Sequence, residues 1–401
     1  MICINNIRLI IGDNLETIET GFIVFDQERI IEVSNQPLLN LPTECQVVDG
    51  TGLTALPGLI DAHVHLGMDC SPDPFFGMSH TDDTTIAYLA YKQGIQFLES
   101  GITTVRNLGT RNNIDIQYRD SIQKNIIDGP RVFASGNPII ITGGHGQAMG
   151  IEVDGIDEIR KASRTQIKAG ADLLKLMATG GVLTKGNKPA SVQLTIDELK
   201  CACQEAKNAN IATAAHAIGI EGVKNAIRAG VHTIEHGYYL DNESIQMMIN
   251  QDVYLIPTLL APILILNNPN QIPQHMLDKL EDIEVHHRKS FRSALSQGVK
   301  IAVGTDAGTP YNFPGQIVDE MKIMVDEGMS NLQAIQAATS VGAACLKIDS
   351  LTGTLEKGKW ADILIVEGNP LENILDLKNV KQVFKAGKPC LNTYKNITHF
   401  A

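Results

Sequence analysis

Eight short apolar runs, separated by helix-patterned stretches, fill the interior of this chain. They are residues Gly58–Val64, Thr103–Arg106, Arg131–Ser135, Asp172–Met177, Ile211–Ala215, His232–Glu235, Val253–Pro257 and Lys300–Thr305. Such an alternation demands a mostly parallel sheet with helices laid over it. Eight units over about 290 residues suit an α/β fold of the (β/α)8 TIM-barrel kind, in which every strand delivers its C-terminal end to one mouth. A doubly wound sheet would show fewer units, and no Gly-x-Gly-x-x-Gly follows an early strand. Residues Thr195–Asn210 open with a Thr-x-x-Glu capping box and read as a helix. Residues Asn331–Leu346 read as another, unbroken.

The two ends are different in character. The first 56 residues are β-prone, with a hairpin over Gly21–Ser34, and Ala361–Gly368 and Val380–Cys390 are β-prone as well. Neither end is long enough to bury a core alone. The expectation is a discontinuous β-sandwich from 1–56 and 349–401, with a barrel domain over 57–348 between its halves.

Composition removes several function classes. With 43% hydrophobic and 19% charged residues, the chain is globular rather than disordered. A net charge of −12 without a basic cluster argues against nucleic-acid binding. The seven cysteines are scattered and odd in number, which fits reduced thiols in a cytoplasmic protein. MICINNIRLIIG lacks the features of a secretion signal. The longest apolar stretch, Leu255–Leu266, is too short and too broken by proline to span a membrane.

The chemistry sits at the ends of the runs. His63 and His65 close the first; alternation along a strand puts both on one face, where they can share a cation. Lys175 lies inside the apolar run LLKLM, where burying an unpaired ammonium would carry the heavy penalty of an isolated charge. It needs either a buried acid or carbamylation by carbon dioxide, which makes it an anionic bridge between metals. His216 and His236 end two neighbouring runs, one helix and one strand apart. Asp306 follows KIAVGT, and is either a ligand at the mouth or a helix N-cap. Taken singly, each histidine could be a satisfied core residue; their common register makes a metal site the economical reading. Asp61 reads as supporting or structural, and Arg106 as an ion-pair partner. His232 should face elsewhere, and His80, His275, His286, His287 and His399 should be exposed.

Read in order, PGLIDAHVHL, TTVRNLG, the Lys175 strand, AAHA, IEHG and GTDAG resemble the amidohydrolase superfamily. The resemblance extends to GTLEKGKWADILIVEGNPL near the C-terminus. GPRVFASG, ITGGHG, KLMATGGV and IEHGYYLD resemble its metal-dependent prolidase and Xaa-Arg/Lys dipeptidase group. The resemblance implies two divalent metals, zinc by the N/O ligand set. His63, His65 and Asp306 would hold one, His216 and His236 the other, with carboxylated Lys175 and a hydroxide between them. Asp306 would serve as general base and then acid. His145 would stabilise the oxyanion and face the substrate, and Tyr238, with Tyr239 as competitor, would meet its α-carboxylate. The implied partner is a small molecule, a dipeptide of the Xaa-Pro or Xaa-Arg/Lys type or an N-acyl amino acid, cut at its amide bond. Family analogy also suggests a homo-oligomer. Two departures from the pattern, Ile218 and Phe313-Pro314-Gly315, bear on specificity. The alternative is a one-metal imidazolonepropionase-like cyclic-amide hydrolase or deaminase. Lys175 weighs against it, as does the absence of a glutamate soon after His216.

Overall fold

In the computed structural model, which describes residues 1–12, 17–36, 44–280 and 283–390, both chain ends hydrogen-bond into one eight-stranded sheet. The junction is antiparallel, with Ile363–Glu367 lying along Leu53–Pro57. The predicted hairpin forms from Thr17–Asp26 and Arg29–Ser34. Ile7, Leu9, Ile23 and Phe25 from the first end share a buried cluster with Ile363 and Phe384 from the second. Phe25 and Phe384 meet edge-on at 4.9 Å between ring centroids, a preferred aromatic geometry. Neither end buries this surface without the other.

The interior forms two parallel sheets. One carries Leu59–Val64, Ile102–Asn107 and Arg131–Ala134; the other carries Leu173–Met177, Ala212–Ala217, Thr233–His236 and Tyr254–Ile256, extended by two short strands at Ile139–Ile140 and Ile151–Glu152. Asp172 N donates to Ala134 O at 2.8 Å between the sheets. Seven of the eight predicted runs are therefore strands; all but the half-buried Arg131–Ala134 are buried along their inner length.

The eighth run, Lys300–Thr305, has no regular ladder, which corrects the expectation of a strand there. Its backbone is nonetheless bonded on both sides. Leu255 N donates to Lys300 O and Ala302 N to Leu255 O, while Ala62 N donates to Val303 O and Asp306 N to His63 O at 2.7 Å. The ladder is broken because Val303 N turns away to Ala337 O. Gly304 permits the approach on the other side: a Cβ there would lie 2.4 Å from Ile256 and 2.7 Å from His63 Cβ.

The helices are placed by their caps. Ile196–Asn208 begins at Thr195 with both halves of the expected capping box. Ile156–Ala169 ends at Gly170, whose φ of 94° is the left-handed conformation that glycine adopts without strain. The single helix expected over Asn331–Leu346 is instead two, Asn331–Ala337 and Ser340–Cys345. The carbonyls of Ala337 and Ala338 leave the helix to accept from Val303 N and Ile60 N. Thr339 breaks the helical dihedrals and bonds its hydroxyl back to Ile335 O at 2.7 Å. A tertiary demand for acceptors thus overrides local helical preference.

Candidate metal centre

The C-terminal ends of the parallel strands surround a cavity lined by His63, His65, His145, Lys175, His216, His236, Tyr238 and Asp306. All the side chains expected at a mouth by sequence converge there. Across adjacent strands His216 pairs with Glu235, and His236, one residue further on, brings its ring beside that of His216. Their ring centroids are 4.6 Å apart, and His63 and His236 are 5.1 Å apart. Asp306 Oδ1 lies 3.3 Å from His63 Nε2 and 3.2 Å from His65 Nε2. His236 and Asp306 both adopt positive φ, 73° and 63°. Such conformations cost a non-glycine residue about 1–3 kcal/mol and cluster where function requires a particular side-chain direction.

Each imidazole has one nitrogen engaged. His63 Nδ1 is 2.8 Å from Glu235 Oε2, and His65 Nδ1 is 3.2 Å from Gly109 O. His216 Nε2 is 2.9 Å from Gly180 O, and His236 Nδ1 is 2.8 Å from Thr258 Oγ1. In His63, His65 and His216 the outer partner is an acceptor, so the N–H is fixed there and the opposite nitrogen keeps its lone pair. Fixing the tautomer by an outer acceptor is how ligating histidines are oriented. His63 Nε2 and Asp306 Oδ1 are buried, and neither makes a hydrogen bond. Buried polar atoms without partners are costly, and a divalent cation would satisfy both. The donor set therefore fits a metal. One ligand atom each from His63, His236 and Asp306 lies within 4.8 Å of the others. This closest group draws on both of the ligand sets expected from the sequence.

The electrostatics agree. Burial alone would raise the Asp306 carboxyl, but the imidazoles of His63 and His65 outweigh it and hold the group well below the usual range. Burial keeps His145 and His236 neutral to well below their ordinary value, with His216 adding to the effect, and brings His216 down to about 3. Neutral imidazole is the ligating form. Lys175 is 1% exposed, and burial brings its ammonium down to about 8. Its neutral amine, the form that adds carbon dioxide, is thereby accessible.

Sequence reasoning missed Glu235. It lies one residue before His236, contacts His63 and Arg106, and is held down to about 2: burial raises it, and Arg106 and His63 more than reverse that. Its Oε1 receives Arg106 Nη2 at 3.0 Å, so Arg106 is the structural ion-pair partner expected. Asp61 is structural too, accepting from Thr305 N at 3.0 Å and Thr305 Oγ1 at 2.7 Å. His232 points away, with Nε2 2.9 Å from Cys345 O. His80 is exposed. His287, expected to be exposed, is 1% exposed and packs, tilted, against Tyr238 at 4.1 Å between ring centroids. His275 is half-buried against Leu183 O, and His286 packs on Tyr239 at 5.2 Å. Helical periodicity could have flagged His287, which falls on the same face as buried Ser290, Phe291 and Ala294. His399 lies outside the described residues.

Apart from Thr309, the rest of the cavity wall is apolar. Met68, Phe75, Met177, Val182, Ile218 and Leu280 line it, joined by Ala261, Pro262 and Ile265 from the proline-broken segment. Ile218, a departure from the family pattern, is therefore at the wall. Phe313 is half exposed and does not line the cavity. Asp306 is the one acidic lining residue among those described. No helix among the described residues is long and apolar enough to cross a membrane.

A model of the amidohydrolase family matches residues 54–390. Ochratoxinase from Aspergillus niger is 30% identical over 369 residues, covering 83% of this chain and 75% of that protein. A crystal structure of a Xaa-Pro dipeptidase with methionine bound in its active site superposes with a TM-score of 0.89 at 34% identity, covering 97% of this chain and 99% of the other. A prolidase in complex with N-methylphosphonate-L-proline superposes with a TM-score of 0.90 at 27% identity, over 97% and 98%.

Proposed function

The chain belongs to the amidohydrolase family and is a hydrolase acting on C–N bonds, and from that premise we propose that it cleaves the amide bond of a dipeptide or N-acyl amino acid. We read the two parallel sheets and the 300–306 segment as one (β/α)8 barrel over 57–348, with 1–56 and 349–401 as a discontinuous β-sandwich. The observation that carries the reading is the ring of buried imidazoles, each oriented by an outer hydrogen bond, that surrounds Asp306 and Lys175.

His63, His65 and Asp306 would hold one divalent metal, zinc by its donor set, and His216 and His236 a second, with carboxylated Lys175 between them. When bound, such metals supply Lewis acidity and lower the pKa of water toward about 7. Asp306, ionised by its imidazole neighbours, accepts the proton of the attacking water and passes it to the leaving amine. His145 Nδ1 is 2.9 Å from Thr184 Oγ1, which leaves Nε2 to face the developing oxyanion. Burial keeps the Tyr238 hydroxyl protonated, a donor for the substrate carboxylate. The wall selects apolar substituents: a guanidinium or ammonium side chain would find no carboxylate to pair with beyond Asp306. This favours Xaa-Pro and apolar N-acyl substrates over Xaa-Arg/Lys. The bound prolyl phosphonate and methionine in the two similar structures support a site for small amino-acid derivatives. A homo-oligomer in the cytoplasm completes the reading.

The test is purified, zinc-loaded enzyme on a panel of Xaa-Pro, Xaa-Arg/Lys and N-acyl amino acids, with metal counted per chain. Two metals without cleavage of any member would defeat it. The close group of His63, His236 and Asp306 favours a second reading, a one-metal cyclic-amide hydrolase or deaminase. A stoichiometry of one metal, with turnover of cyclic amides, would select that instead.

A further inference from the structure

We infer that Lys279 is a positioning residue for His145, acting through a clamp on the 181–184 loop; this rests on the reading of His145 as a donor facing the substrate. Lys279 lies on the short helix Gln274–Leu280, remote in sequence from both loop and histidine. Its Nζ donates to Gly181 O at 3.1 Å, to Val182 O at 3.0 Å and to Thr184 O at 2.5 Å. An ammonium has three N–H donors, and here all three go to one loop. His275, one turn earlier, has Nε2 3.3 Å from Leu183 O. Four consecutive carbonyls are thus tied to one face of one helix.

The loop so held touches His145 from two sides. Thr184 Oγ1 accepts from Gly146 N at 3.2 Å and lies 2.9 Å from His145 Nδ1. With one lone pair taken by the amide, the hydroxyl proton is free to go to Nδ1. That choice leaves Nε2–H directed at the cavity. Gly181 lies flat against the ring: a Cβ there would sit 2.4 Å from Nε2 and Cε1. Val182 and Leu183 line the cavity beside it, and Leu280, next to Lys279, closes the same wall. The helix, the loop and His145 therefore form one unit. Its cation meets carbonyl dipoles rather than a carboxylate, which suits a fixed clamp better than an ion pair that merely adds charge.

The experiment is a double-mutant cycle on metal-loaded full-length enzyme: Lys279→Met, His145→Asn and both together, with Lys279→Arg and Thr184→Val beside them. Readouts are kcat and KM on the best panel substrate, metal content, melting temperature, and the histidine 15N spectrum that reports tautomers. Lys279→Met should lower kcat by about 10- to 100-fold, the scale of a small misplacement of a reacting group, with metal content unchanged. Lys279→Arg should restore most of the loss, and Thr184→Val, which leaves the clamp intact, should shift the His145 tautomer signal and lower kcat likewise. In the His145→Asn background, Lys279→Met should add less than about twofold, the mark of two groups acting as a unit. Equal losses in both backgrounds, or a lowered melting temperature with kcat unchanged, would overturn the clamp and leave the His145 reading standing. Wild-type turnover by His145→Asn would overturn the His145 reading, and the clamp with it.

Discussion

Glu235 Oε2 lies 2.8 Å from His63 Nδ1, with both side chains fully buried. The other oxygen of the same carboxylate is 3.0 Å from the Arg106 guanidinium and also takes the Thr233 hydroxyl. The imidazole is therefore oriented by an anion that is itself neutralised, and the His63–Glu235–Arg106 chain joins three strands.

Glu235→Gln keeps an acceptor for His63 but leaves Arg106 buried without its counter-charge. Removing one partner of a buried pair costs about 3–5 kcal/mol, and loss of an outer carboxylate typically weakens metal binding by about 10- to 100-fold. Thermal melts should show the first effect and chelator competition the second. Unchanged metal affinity would detach Glu235 from the site.

Lys175→Ala should lose metal and activity together if a carboxylated Lys175 is the proposed anionic bridge. Wild-type protein incubated with 13C-bicarbonate should show a carbamate carbon that the variant lacks. A variant retaining both metals would remove Lys175 from the centre.

Tyr238→Phe should raise KM by about 10-fold for substrates with a free α-carboxylate, the scale of a hydrogen bond to a charged group. Burial raises the Tyr238 pKa, so its hydroxyl donates across the working pH range. KM for carboxyl-amidated analogues should not change. An equal rise for both classes would assign Tyr238 to packing.

Glu320 is fully buried, and its carboxyl accepts from Leu259 N at 2.8 Å and Leu260 N at 2.7 Å, at the start of the segment that walls the cavity. Burial raises it from an ordinary 4.5 to about 8 despite those bonds. A raised carboxyl contributes stability that is fully present below about pH 4.5 and is lost as pH rises through about 8. Glu320→Gln cannot ionise, so its melting temperature should fall less than that of wild type between those limits. Parallel curves would show that Glu320 does not set the pH dependence.

Chelation should lower the melting temperature, because a metal held by the folded protein and not by the unfolded chain would stabilise the fold. Readdition of zinc should restore it. No change on chelation, with metal absent by mass analysis, would mean the orphaned atoms of His63 and Asp306 are tolerated without an ion.

Much of this was legible in the chain. A strand end followed by histidine is a local pattern, and the spacing of His216 and His236 reflects one strand and one helix, so the cavity-lining set could be listed before folding. The supporting residues could not. Glu235, Thr184 and Lys279 have ordinary sequence neighbourhoods; each acquires its role from a partner tens of residues away. His287 looked exposed because polarity was weighed above its place on a buried helical face. The helix break at Thr339 was invisible because the acceptor demand comes from Val303 and Ile60, on segments remote in sequence.

What the sequence determined by itself was periodicity: which segments are strands, which faces are apolar, and which side chains stand at strand ends. Those follow from backbone geometry over a few residues. Which nitrogen of each imidazole faces inward, which carboxylate is ionised, and whether the wall carries a counter-charge were decided only by tertiary structure. The reason is that hydrogen-bond direction and desolvation depend on groups brought together across the fold, and no local pattern encodes them.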